Sequence, residues 1–415
     1  MKGKKSFLWL TFLLIGCCLC SCANNKPAEP RLISKGKVIH RFFDTSPISP
    51  SGKYIALFRL PYENVSPKPG DTGEVVVIDL KDLSEVCVVE TRGWETQLGA
   101  NVQWGATDKE LFYNDVDTET WDAFAVKFNF LSGEKQRLSG TVFMATTDGK
   151  RLASYDLKKS RFAQVGYGVV VQNDQVSRNR GLVADDGVYV TDVERNETRM
   201  IASIRDIYEQ TVPSIAIPNP EDFEYYCFQV KWNLQGTRLL TTIQWSPIGG
   251  GDRRRAVITM NPDGTDIRTA VTPDQWAKGG HHINWHPDGE HLTMNLNIDG
   301  KRGIEIISVG YDGSDLKEIY PKGSGHPSVN PAGKPYVITD AYAGEMPIKG
   351  DMSPIRLINM KEQSEVIADE IFLPAVTNFE FRVDAHPAWD RTGKMVVYNS
   401  MEDSTRCVYL LNVRL

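Results

Sequence analysis

The sequence predicts an all-β fold, a seven-bladed β-propeller, and three observations carry that prediction. A short phrase recurs seven times: a polar turn closed by Gly, then a basic or polar residue, then an alternating apolar strand. In four copies a Trp stands four residues before the turn position, as Trp104, Trp232, Trp285 and Trp389. Successive turns lie 41 to 60 residues apart, with one interval of 87, and a four-stranded blade needs about 40 to 50 residues. One blade cannot bury both of its faces, so such units must stack around an axis. The composition agrees: 415 residues, 41% hydrophobic and 24% charged, exclude disorder, collagen and coiled coil. A formal charge of −6 without a long Lys/Arg run argues against a nucleic-acid partner.

The chain opens with Lys2, Lys4 and Lys5 and an apolar run from Phe7 to Ile15, too short to span a membrane and suited to a secretory signal. It continues as Gly16-Cys17-Cys18-Leu19-Cys20-Ser21-Cys22, and Leu19-Cys20-Ser21-Cys22 resembles a bacterial lipobox. The resemblance implies removal of residues 1–21, lipidation of Cys22 and attachment to a membrane through acyl chains alone. Leu14-Ile15-Gly16-Cys17 fits the same pattern, which makes Cys17 the competing site. Removing three Lys and no acid takes the net charge to −9. Residues 22–35 read as a tether and 36–415 as the propeller, placed in the bacterial cell envelope, periplasmic or at the surface, as a monomer. Cys87, Cys227 and Cys407 fit neither a disulfide framework nor a zinc motif and read as packing residues.

The turns follow in order. Ser49-Pro50-Ser51-Gly52 serves blade one, and Ala106-Thr107-Asp108-Lys109-Glu110 serves blade two without the Gly. Thr147-Asp148-Gly149, Leu234-Gln235-Gly236, Pro287-Asp288-Gly289, Pro331-Ala332-Gly333 and Arg391-Thr392-Gly393 complete the set. Gly suits these corners because it takes a positive φ at no steric cost. The long interval between Gly149 and Gly236 is read as an insertion near Lys158 to Asp185, and it is also what leaves six or eight blades open. Lys37 to Phe42 is expected to complete the last blade beside Cys407 to Val413.

In a blade of this type the strand before each turn lines the central channel. Seven residues before each turn position stand Thr45, Asn101, Val142, Gln229, His282, His326 and His386. Three of the 7 His in the chain therefore share one level. Imidazoles with a Gln carbonyl make a site for a divalent first-row ion such as Mn²⁺, Fe²⁺, Ni²⁺ or Zn²⁺ with positions left open. His281 is expected to point away from this level, and His40, His286 and His291 read as structural.

The repeated turns resemble those of the Tol-Pal translocation propeller, and Asn261-Pro262-Asp263-Gly264 and Tyr311-Asp312-Gly313 resemble its outer hairpins. The His and Gln set is similar to that of the oligogalacturonate lyases, seven-bladed propellers that hold Mn²⁺ with three His and one Gln. That resemblance implies a metal-assisted β-elimination on an acidic oligosaccharide, with Gln229, His282, His326 and His386 as ligands. The His that serves as base in that family has no clear counterpart here. Lys231, two residues after Gln229, and Tyr342 are the candidate bases, and Arg382 and Arg406 the candidate carboxylate binders. Arg253, Arg254 and Arg255 read as a solvated loop that adds positive potential at a channel mouth. Trp94, Trp121, Tyr225, Tyr226 and Trp276 read as blade packing. The alternative is a non-catalytic propeller lipoprotein that binds a glycan or a protein.

Overall fold

The computed structural model describes residues 29–415. The signal and both lipobox cysteines, Cys17 and Cys22, lie outside the described residues. Within them, no helix is long and apolar enough to cross a membrane.

The strands form seven four-stranded antiparallel sheets, one per blade. Blade four is typical, with Phe223–Trp232 innermost, then Leu239–Pro247, Arg254–Met260 and Arg268–Val271 at the rim. Middle strands are buried on both sides, as in Glu305–Gly310, whereas rim strands such as Glu134–Arg137 are exposed throughout. Apolar residues on both faces of the middle strands are what stacking requires, and each of the seven interfaces between neighbouring blades is filled by its own apolar cluster. In each Gly-bearing repeat turn the glycine has φ between 67° and 77°. Three of the four repeated Trp residues are staples between blades: the Trp104, Trp285 and Trp389 indole N–H groups donate to Pro47, Lys231 and Ser328 carbonyls of the preceding blade. The long interval holds the expected insertion after Arg151–Ser154, with a four-residue helix at Ser160–Ala163, and a second excursion with a helix at Ile204–Gln210.

Two expectations are corrected. The strand that closes the ring is Arg31–Lys35, which pairs with Thr405–Asn412 at the rim of blade seven. It lies inside the stretch read as tether, and Lys37 to Phe42 does not complete that blade. The physical reason is the corner at Gly36 and Lys37, both at positive φ, which sends the chain from the rim of blade seven to Val38–Ile39, the innermost strand of blade one. Ile33 anchors the closing strand in the cluster between blades seven and one.

The second correction concerns Thr45, which does not continue the channel wall. Residues 40–45 leave blade one and cross the bore. His40 N–H donates to Asn399 of blade seven, Arg41 donates to Asn101 of blade two and the Phe143 carbonyl of blade three, and Asp44 pairs with Lys231 of blade four. The Phe43 carbonyl accepts from Ser328 of blade six, and both Phe rings pack on His282 of blade five. Phe42 and Phe43 thus fill the centre with apolar rings, fully buried. On the turn side of this plug, Phe43 and Asp44 line a cavity of about 260 Å³ together with the four repeated Trp residues.

Candidate metal centre

On the other side of the plug the histidines converge. The rings of His282 and His326 are 3.8 Å apart between centroids, and those of His326 and His386 are 4.4 Å apart. The backbone explains how an inner strand aims these side chains into the bore. Gln229, His282 and His386 have φ of 59°, 59° and 48°, a region non-glycine residues rarely occupy, and the ladder slips in register around the first two. Such bulges re-aim side chains, and their cost of order 1–3 kcal/mol each must be met by the surrounding packing. In blade six the positive φ falls on Gly325 instead, where a Cβ would stand 2.3 Å from the Asp340 carbonyl, so only glycine can present His326 there.

The donors are oriented by a surrounding set of polar groups. His326 is fully buried; its Nδ1 lies 3.0 Å from Asp340 Oδ1, which directs Nε2 into the cluster. Burial pushes the Asp340 carboxyl up, and His326 outweighs that, leaving it below its ordinary value. His281 Nε2 lies 2.7 Å from Glu345 Oε1, which leaves its Nδ1 as an acceptor facing His282 Nδ1 at 2.7 Å. The His282 Nδ1–H also meets the Gly325 carbonyl at 2.7 Å, so its Nε2 is left without a proton. Burial, and next the charge His326 would carry, hold His282 and His386 well below the usual imidazole range, and neither nitrogen of His386 has a partner among the described residues. Neutral, buried imidazoles, each with an unprotonated nitrogen, are what a divalent cation requires of its ligands.

Asp384 joins this set. One donor atom each from His326, Asp384 and His386 lies within 4.8 Å of the others. Its signal in the sequence was an acid two residues before His386, in Asp384-Ala385-His386. His40, read as structural, stands edge-on to His386 at 6.4 Å with both nitrogens unpartnered, and burial lowers it to about 4. It escaped the register because it lies on the plug. His281, expected to face away, belongs to the cluster's hydrogen-bonded surround. Gln229 is buried in the matching bulge, and among the described residues its amide makes no hydrogen bond to the imidazoles.

The other candidate residues divide. Tyr342 is at the centre, its hydroxyl 3.2 Å from His326 Nε2 and donating to Asp384 at 3.3 Å. Burial, then Asp384 and Asp340, hold its phenol well above the ordinary value, which favours the protonated hydroxyl over the ionised form that a base requires. Lys231 is not at the cluster. Its ammonium is 0% exposed, gives its hydrogen bonds to Asp44 and the Ile283 carbonyl, and rests on the Phe42 and Phe43 rings. Burial lowers it to about 8, yet its partner is a carboxylate inside the plug. Arg382 reaches the site, but its Nε is given to Asp384 at 2.9 Å and its guanidinium lies over the Phe379 ring. Arg406 is buried against Glu63 and the Phe381 carbonyl and offers no fork to a substrate.

No protein-family model and no curated protein matches the chain. Solved structures do match. An oligogalacturonate lyase from Vibrio parahaemolyticus is similar at a TM-score of 0.60, covering 92% of this chain and 93% of its own at 13% identity. The fold resembles that of oligogalacturonate lyase. A structure described as an oligogalacturonate lyase in complex with manganese gives 0.59 over 91% of this chain and 90% of its own, at 14% identity. TolB from Acinetobacter baumannii covers 87% of this chain and 81% of its own at 11% identity and a TM-score of 0.41. At these identities the likeness to the two lyase structures is one of fold, and the chemistry rests on the residues described above.

One buried acid beside the insertion carries a prediction. Glu95 is 1% exposed, accepts from Gly168 N–H at 2.5 Å, and burial raises it to about 8. A folded value above the ordinary one gives stability that is complete below about pH 4.5 and lost as pH rises through 8, on the order of 5 kcal/mol at most. Glu95→Gln should therefore gain on the wild type between pH 5 and pH 8 in urea unfolding. An equal difference at both pH values would mean that Glu95 titrates normally.

Proposed function

We propose that this protein is a metal-dependent lyase that cleaves uronate-containing oligosaccharides by β-elimination, held at the bacterial envelope by a lipid on Cys22. The observation that carries this reading is the convergence of His282, His326 and His386, with Asp384, on one small buried volume. The orphaned nitrogens of His386 and the carboxylate behind His326 fit a resident divalent ion, Mn²⁺ or a similar first-row metal, with Gln229 as a further ligand. Such an ion would supply Lewis-acid neutralisation of the substrate carboxylate, which would make the neighbouring C–H acidic enough to pass its proton to a base from solvent. Around it, Asp340 fixes the tautomer of His326, and Glu345 fixes that of His281. Tyr342 holds a proton at its hydroxyl beside the cluster, placed for the leaving oxygen. Arg382 orients Asp384 by its Nε–H hydrogen bond.

A second reading has its own observation. His326 and His386 are 0% and 1% exposed, and the bore behind them is plugged, which suits a propeller that binds a glycan or protein without chemistry. Metal analysis of the purified chain, followed by absorbance near 235 nm with oligogalacturonate, separates the two. About one equivalent of metal with rising absorbance, the signature of a new C=C bond, is the expected result. A metal-free protein with no absorbance change would leave the binding propeller.

A further inference from the structure

The insertion in blade three serves two places. At one end Tyr167 stacks edge-on against Phe228 at 5.0 Å and its hydroxyl meets Arg382 at 3.5 Å, so it borders the histidine cluster. At the other end the insertion walls a separate cavity of about 390 Å³ over blade four, against the ends of Phe223–Trp232 and Leu239–Pro247. That volume lies within the range of small-ligand sites.

The charge in this cavity is one-sided. Arg178 and Arg180 face it from the insertion and Arg253 from the loop after Leu239–Pro247, while Glu224 is the one acid that lines it. Arg178 Nε binds both Glu224 oxygens, at 2.8 and 2.9 Å, which neutralises that acid and leaves Arg180 and Arg253 uncompensated. Two more cations stand behind them. Arg161 has a buried Nε without a partner among the described residues and is lowered by burial and by Arg178. Arg255 is lowered to about 10 by burial and then by Arg253. In a chain of net charge −6, gathering five arginines around one carboxylate costs free energy that an anionic ligand would return. The cavity also has flat apolar surface, with Phe162 and Tyr226 5.9 Å apart between ring centroids. Arginine forks beside aromatic faces suit a carboxylated pyranose, bound by its charge and by its C–H face.

We propose that this cavity is a second binding subsite for a uronate residue of the oligosaccharide, on the far side of the insertion from the histidines. The ligand class rests on the lyase reading; the anion preference rests on the arginines alone. The test is binding to the full chain by calorimetry, with trigalacturonate, neutral maltotriose and sulfate as probes. Trigalacturonate should bind, Arg253→Ala should weaken it at least about 10-fold, and Arg253→Lys, which keeps the charge and loses the fork, should fall between. Maltotriose should not bind, and sulfate should compete only at far higher concentration. Equal affinity of wild type and Arg253→Ala, equal binding of maltotriose, or sulfate competing as well as the sugar would each overturn the subsite. Arg253-dependent binding without any 235 nm signal would remove the lyase and keep the subsite; turnover with Arg253-independent binding would do the reverse.

Discussion

His326→Ala is expected to empty the site of metal and to lower turnover by more than about 100-fold. His326 is the middle ring of the three, 3.8 Å from His282 and 4.4 Å from His386, and the one whose Nδ1 is tied to a buried carboxylate. Removing an orienting partner of a metal ligand typically costs 10–100-fold, so removing the ligand itself costs more. The truncation also strands Asp340, whose remaining bond at the site is the His326 backbone N–H at 2.6 Å. Stability is therefore measured alongside, and His326→Gln, which retains volume and one polar group, is the second variant. Metal by mass spectrometry, absorbance near 235 nm and urea unfolding are read on all three proteins. Unchanged metal content in a folded His326→Ala would dismiss the site.

Asp44→Asn should destabilise the protein by about 3–5 kcal/mol without changing its blades. Asp44 is fully buried and receives both Arg41 and Lys231, and those two cations hold its carboxyl below the ordinary range even though burial alone would raise it. An amide of the same shape leaves two buried cations facing each other with no anion. Adding Lys231→Met to Asp44→Asn should recover much of the loss, because an apolar chain of similar length removes one of those charges. The same double variant tests the role of Lys231. A base would be indispensable to turnover, whereas a plug cation is dispensable once its partner is gone. A loss below about 1 kcal/mol in Asp44→Asn would show that the plug does not depend on this ion pair.

Much of this molecule is legible in its sequence because a propeller repeats its instructions. Each Gly turn and each Trp staple is written several times, so seven weak signals add, and the same register that counts blades also aligns His282, His326 and His386. What repeats only once is hidden. The crossing at His40 to Thr45 looks like an ordinary inner strand until its backbone and side chains are seen to touch all six other blades. Arg31–Lys35 is five residues of alternating character in a polar stretch, and nothing local distinguishes a closing strand from a tether. Lys231 and Arg406 have the right residue type for chemistry, and only the fold shows that Asp44 and Glu63 already occupy them. Asp384 was within reach through its two-residue spacing from His386. Tyr342 was found by type, but its proton affinity was not legible, because burial, which sets the direction of that affinity, is a property of the assembled blades.

The plug has a consequence for traffic. With Phe42 and Phe43 buried across the bore, the propeller is not a tube open from end to end. On the lyase reading proposed above, a ligand that reaches the histidines would have to withdraw by the way it entered. A long polymer cannot be threaded through and released from behind. On that reading the site would favour short chains presented end first.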